Sequence, residues 1–276
     1  MADEDSDTKF RRNVRRARPR WDDEDDDPFA STYLLAEHGP APVPEWVITE
    51  DAARQYELGL LKTGKEAEVF LVERELGDCH QLLAAKRYRK PADRTFRDDA
   101  RYRSGRKTGD RRIDLAVAKG TQRGMEFRGY LWAGTEFETL GRLWSAGVSV
   151  PYPVQRMGTE LMLEFIGDGD QMAPRLSEAH VDRSRLAALC ESAVDQLHVI
   201  THEGVVHGDL SPYNVLVWND ALVFIDFPQA VDPQEGPDAL ALLQRDVTNL
   251  IGWFARKGVA IDPDAVFRDL LTEVFR

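Results

Sequence analysis

The sequence predicts an α+β fold in two lobes, a small β-rich N-lobe and a reduced, mainly helical C-lobe. Three observations carry this reading. Between residues 66 and 90, and again between 151 and 166, apolar residues come in short, partly alternating runs broken by glycine turns. From about residue 184 they recur instead at spacings of three and four. A single helical stripe before residue 147 interrupts the β-rich part. A chain of 276 residues that is 42% hydrophobic can bury one substantial core or two small ones packed as lobes. The N-lobe is expected at about 46–163 and the C-lobe at about 167–276, in one domain of residues 46–276.

Residues 1–45 are expected to stand outside that domain. They hold a basic block (KFRRNVRRARPR), an acidic block (WDDEDDDP) and a proline-rich stretch (HGPAPVPEW). Block charge with few apolar residues cannot offset the entropy of ordering, so a disordered charged tail is predicted. From Trp46 onward the pattern becomes globular. EAEVFLVERE and QLLAAKRYRK, separated by GDCH, read as an antiparallel hairpin. Residues 92–124 are basic and aperiodic and read as an excursion over the surface. Tyr130, Ala133, Phe137, Leu140 and Trp144 then form the stripe of an amphipathic helix that stops at Gly147.

VPYPVQRMGTELMLEFIGDGD offers two short strands around a glycine turn. Next comes a helix whose face carries Leu186, Leu189, Cys190, Ala193, Val194, Leu197 and Ile200, with Gly204 as its stop. VLVW and ALVFID are joined by Asn219 and Asp220, a two-residue tight-turn signal. Helical patterns in LALLQRDVTNLIGWFARKG and DPDAVFRDLLTEVFR close the chain. No repeat appears at the periods of solenoids or propellers.

Charge and composition exclude several classes. A formal net charge of −12 argues against coating nucleic acid or membrane with the whole surface, although local basic patches remain. Cys79 and Cys190 match no metal-ligand spacing and read as reduced thiols. MADEDSDTKF lacks the basic-then-apolar order of a signal peptide, and no run approaches ~20 apolar residues. A cytoplasmic monomer without membrane association is expected.

The chemistry is concentrated around VVHGDLSPYNVLVW, residues 205–218, where a polar break separates two apolar runs. Asp226 closes one strand of the 215–226 hairpin, Asn214 opens the facing one, and Asp209 lies five residues earlier. An aspartate and an asparagine brought together by a hairpin offer hard oxygen ligands to a magnesium-type ion. Asp209 is then placed to orient a nucleophilic hydroxyl. The order and spacing match the protein-kinase catalytic set. In that set an early strand carries a phosphate-facing lysine; Lys86 in LLAAKRY fits, with Glu136 beside the helical stripe as its acidic partner. A phosphate-covering loop is expected in LKTGKEAEVF, where Gly64 permits close backbone approach and Lys65 adds charge. After Asp226 comes FPQAVDPQ rather than DFG, no APE follows, and 50 residues remain, which predicts a stripped-down kinase fold.

Taken in order, TGKEAEVF, AAKRY, FRDDARYRSGR, WAGTEFETLGRL, LMLEFIG, VVHGDLSPYNVLVW and VFIDFPQAVD resemble a RIO-type atypical protein kinase over roughly residues 60–250. No helical or winged-helix extension is visible before the glycine loop, so the chain looks like the family's compact bacterial form. The resemblance implies Asp209 as catalytic aspartate and Asn214 and Asp226 as metal ligands. It makes Lys86 with Glu136 the pair that positions the α and β phosphates. Thr63, Gly64, Lys65 and Glu66 would cover the triphosphate. Adenine would lie between Ala84 on one side and Leu216 with Ile225 on the other, bonded to backbone near Glu164 and Ile166 in the hinge. Ser211 would face phosphate or metal, Asp246 would hydrogen-bond the catalytic-loop backbone, and His207 would fix the loop's shape. ATP and Mg2+, with Mn2+ as a substitute, are the implied cofactors.

The implied reaction is phosphoryl transfer to serine or threonine hydroxyls, in autophosphorylation or on a protein substrate. Three alternatives stay open. One is an ATPase switch in ribosome or RNA–protein assembly, and another is a small-molecule phosphotransferase of the aminoglycoside kind, since HGDLSPYN also resembles that loop. The third is a nucleotide-gated binding module whose basic segments, 9–20 and 96–112, contact ribosomal RNA or protein.

Overall fold

A computed structural model describes residues 29–88, 122–234 and 237–275. Of the expected basic excursion at 92–124, residues 92–121 lie outside the described residues, as do the charged blocks before residue 29, while 122–124 begin a helix instead. The chain divides into two compact units. One joins the residues before 90 to Pro153–Phe165, and the other joins those up to Tyr152 to Ile166 onward. None of the helices among the described residues is long and apolar enough to cross a membrane.

The first unit is built on a six-stranded antiparallel sheet. Its strands are β1 (Glu37–His38), β2 (Arg54–Thr63), β3 (Ala67–Leu76), β4 (Cys79–Tyr88), β5 (Pro153–Met157) and β6 (Glu160–Glu164), in the order β1-β5-β6-β4-β3-β2. The expected 66–75/81–90 hairpin is β3–β4, turning at Gly77 with φ 59°. The β5–β6 hairpin turns at Gly158 with φ 61°. Both turns use the left-handed conformation that glycine adopts without steric cost. Strand β4 is central, paired with β3 on one side and β6 on the other. Leu83 and Ala85 on it are fully buried.

Two features of this unit depart from the sequence expectation. β2 is a ten-residue strand where none was predicted. The stretch 29–45, expected as tail, packs on the sheet: Ser31, Thr32 and Tyr33 are buried, and β1 pairs with β5. The physical reason is Arg74. Its side chain is fully buried on β3 and needs acceptors, which it finds in the Gln55 and Gln155 side chains and the Ile48 carbonyl. The Tyr33 ring lies 5.5 Å from its guanidinium, and Gln155 donates to the Thr32 hydroxyl at 2.8 Å.

The second unit contains four helices among the described residues, α1 (Gln122–Ser145), α2 (Arg183–His202), α3 (Pro237–Arg256) and α4 (Pro263–Val274). It also holds two short hairpins, β7–β8 (Gly167–Asp168 and Gln171–Met172) and β9–β10 (Val215–Trp218 and Ala221–Phe224). Asp182 caps α2 by accepting the Arg185 amide at 2.8 Å. Gly204, with φ 66°, ends the helix as expected. Asn219 and Asp220 both have positive φ, the backbone of a tight hairpin turn. On α1 the buried face runs through Ala133, Glu136, Phe137, Thr139, Leu140 and Leu143. Tyr130, predicted on that stripe, is exposed instead, because the buried face passes through Gly129 one position earlier.

Candidate active site

The residues singled out by sequence fall into both units. In the second unit the loop 205–214 runs from the end of α2 into β9. Val205 and Val206 are buried, and Val206 bridges to Val231. His207 is buried at 3% exposure and serves two neighbours. Its Nδ1 accepts the Asp209 amide at 3.3 Å, so Nε2 carries the proton donated to the Ile225 carbonyl at 3.1 Å. Its ring packs on Phe227 at 4.4 Å. Gly208 has φ 81°, and a Cβ there would meet the Gln229 carbonyl oxygen at 2.5 Å, so no other residue fits.

The Asp209 side chain is exposed between buried Gly208 and Leu210. Asn214, 9% exposed, donates its side-chain amide to the Asp209 carbonyl at 2.9 Å. Its backbone carbonyl accepts the Ile225 amide at 3.0 Å, which ties the loop to the strand end that bears Asp226. Asp226 itself has φ 74°, uncommon for a residue with a Cβ and of the kind that clusters at functional sites. Ser211 closes a local turn: its hydroxyl accepts the Tyr213 amide at 3.3 Å, and its carbonyl accepts that of Asn214 at 2.9 Å. The expected Asp209, Asn214 and Asp226 are therefore linked through one loop and one hairpin.

Asp246 on α3 accepts the Gly208 amide at 2.7 Å and the Leu210 amide at 2.9 Å. Burial pushes its carboxyl above the usual aspartate range, while His207, the two amides and Arg245 pull it back. Glu136, 1% exposed on α1, accepts the Phe227 amide at 3.1 Å, one residue beyond Asp226. Leu216 packs with Ile166, Ala173 and Val223 in one apolar cluster, with Ile225 and Trp218 against it.

The remaining expected residues belong to the first unit. Thr63 ends β2 opposite Glu68, and the Gly64 amide donates to the Ala67 carbonyl at 2.8 Å, closing the β2–β3 turn. Thr63 and Lys65 are exposed in this turn, with Glu66 half-buried. Lys86 is 8% exposed on β4, opposite Val69 and Leu161, with Nζ 5.2 Å from the Tyr88 ring. Ala84, two residues before it, shares its face of the strand. Glu164 closes β6 opposite Leu83.

Sequence reasoning missed Arg245 and Asn249. Arg245 donates to the Gly208 carbonyl, and Asn249 donates to that of Leu210 at 3.2 Å. No local signal marked them, since Gln244 and Thr248 are polar in the same stretch of helix.

Comparison with known proteins is consistent across sequence and fold. The family model of the RIO domain matches residues 68–266. The RIO-type serine/threonine-protein kinase Rio1 of Haloferax volcanii is 34% identical over 243 residues, covering 88% of this chain and 74% of that protein. The human serine/threonine-protein kinase RIO1 is 30% identical over 204 residues, and there the match spans only 34% of the longer protein. Among solved structures, the Rio2 kinase–ADP/Mg2+–phosphoaspartate complex from Chaetomium thermophilum superposes with a TM-score of 0.55 at 20% identity. It covers 78% of this chain and 61% of that one, and shares the fold.

Proposed function

The chain belongs to the RIO family of atypical kinases, and from that premise we propose that it transfers the γ-phosphoryl group of ATP to a serine or threonine hydroxyl, in autophosphorylation or on a protein substrate. The observation that carries the reading is the exposed Asp209 carboxyl on a loop whose flanking residues are buried and bonded. In the proposed reaction the bond from the γ phosphorus to the ADP oxygen breaks, a new bond forms to the acceptor oxygen, and Asp209 takes the hydroxyl proton late. Such transfer needs little covalent help from the protein, so positioning supplies most of the rate.

Asn214 and Asp226 would hold Mg2+ or Mn2+. The Asn214 amide nitrogen is committed to the Asp209 carbonyl, which turns its oxygen into the ligand end, and Asp226 adds a carboxylate. Both are hard oxygens of the type magnesium takes. Bound there, the ion would neutralise charge on the phosphates. Lys86 would meet the α and β phosphates, the Thr63–Glu66 turn would cover them, and the Leu216 and Ile225 side chains would give adenine an apolar floor.

A second reading is favoured by one comparison: the Chaetomium Rio2 structure is described as a phosphoaspartate complex. In this chain Asp226 is the corresponding candidate, and transfer to its carboxylate followed by hydrolysis would make an ATPase switch. Contact of segments 9–20 and 96–112 with ribosomal RNA or protein would suit either reading. With radioactive ATP, Asp209→Ala and Asp226→Ala are each expected to abolish labelling while the protein stays folded. Full labelling of either variant removes its assignment. A wild-type label that resists acid and hydroxylamine supports the hydroxyl acceptor, and one cleaved by hydroxylamine supports the aspartyl route.

A further inference from the structure

We propose that Arg245 and Asn249 are positioning residues for Asp209, Arg245 foremost, an inference that rests on the kinase reading of the loop. Residues 208–210 carry three backbone N–H and three C=O groups, and each is bonded to a side chain. Asp246 accepts the amides of Gly208 and Leu210, and His207 accepts that of Asp209. Arg245, Asn214 and Asn249 donate to the carbonyls of Gly208, Asp209 and Leu210 in that order. Three of the five side chains involved, making four of the six bonds, come from little more than one turn of α3.

The consequence lies in how peptide planes turn. The orientation of the Asp209 side chain is set by the two planes on either side of its Cα, and a plane held at one end only can still swing. The 208–209 plane is held at its nitrogen by His207 and at its oxygen by Arg245. The 209–210 plane is held at its oxygen by Asn214 and at its nitrogen by Asp246. Gly208 makes the first plane the vulnerable one, because a residue without Cβ rotates at little steric cost. Arg245 therefore removes the one soft rotation next to the catalytic carboxylate, and Asn249 fixes the plane that follows. A displacement of about 1 Å at a reacting group costs on the order of 100-fold in rate.

The test uses the full chain with Arg245→Met and Asn249→Leu, which remove the donors, keep an unbranched or similar-sized apolar stem and place good helix formers on α3. Turnover of ATP at saturation, KM for ATP, folded fraction, and amide hydrogen exchange of the 205–214 peptide are measured together. Arg245→Met should lower kcat by about 100-fold with KM for ATP within about twofold, and should speed exchange of the peptide. Asn249→Leu should give a smaller loss of the same kind, and Arg245→Lys, which restores an N–H donor, should recover most of kcat. A folded Arg245→Met that keeps kcat within about threefold of wild type overturns the proposal, as does a kcat loss that merely tracks the unfolded fraction. A wild-type protein that never turns over ATP sinks the kinase reading instead. Exchange then decides the positioning claim alone: unchanged protection in Arg245→Met refutes it, and faster exchange sustains it.

Discussion

Asp246 is 1% exposed, and its folded-state pKa lies above the ordinary value of 3.8, chiefly because burial disfavours the charged form. The native chain thus takes up this proton more readily than the unfolded chain. Stability from this group is fully present below the unfolded pKa and is lost as pH rises through the folded value. Activity should move the other way, because a protonated Asp246 keeps fewer lone pairs for the Gly208 and Leu210 amides that hold Asp209. As pH falls from neutral toward the ordinary aspartate value, wild type should therefore gain stability relative to Asp246→Asn, while its kcat declines. Urea denaturation and initial rates over that range check it; a parallel loss of both would rule out Asp246 as the origin of the acid limb. Asp246 and His207 were legible because the loop motif says where to look. Arg245 and Asn249 were not, since nothing local ties a helix residue to a loop carbonyl more than 35 positions away.

At the scale of elements, legibility follows how clearly apolar runs and turn residues mark each one. The β3–β4, β5–β6 and β9–β10 hairpins join short apolar runs through turns at residues suited to positive φ, so all three could be read. β2 could not: its pairing with β3 shifts between Glu57 and Gly59 and again between Leu60 and Lys62. Each irregularity inverts the faces and erases the period-two signal. Helix α1 was found, but its face was read from apolar residues alone, whereas Glu136 and Thr139 are buried on it and Tyr130 is 45% exposed. Leu143→Ala, at a fully buried position, should cost about 2–5 kcal/mol. Tyr130→Ala should stay within about 0.5 kcal/mol, as surface substitutions usually do. Equal losses in chemical denaturation would restore the original stripe.

At the scale of the whole molecule, the boundary between tail and domain was the least legible feature, because composition reports only the apolar contribution to ordering. Residues 29–48 are held largely by polar means: the Ser31 amide bonds the Ala53 carbonyl at 3.0 Å, and the Gln55 amide bonds the Phe29 carbonyl at 2.8 Å. Glu37 pairs with Arg156, whose side chain is 7% exposed. The strongest tie is Arg74, whose buried guanidinium has the Tyr33 ring on one side and reaches Gln155, itself bonded to Thr32. Deleting residues 1–45 would strip Tyr33 from a buried site and open the Arg74 network to water. A large side chain moved from full burial to exposure is alone worth about 1.5–3 kcal/mol. A solvated tail would contribute nothing on removal, so the two readings separate cleanly. The shortened chain should unfold at lower urea concentration, by about 2–4 kcal/mol, with Arg74→Met in the full chain giving a loss of similar size. If the deletion leaves the midpoint unchanged, the segment does not hold the sheet and the tail extends to Glu45 after all.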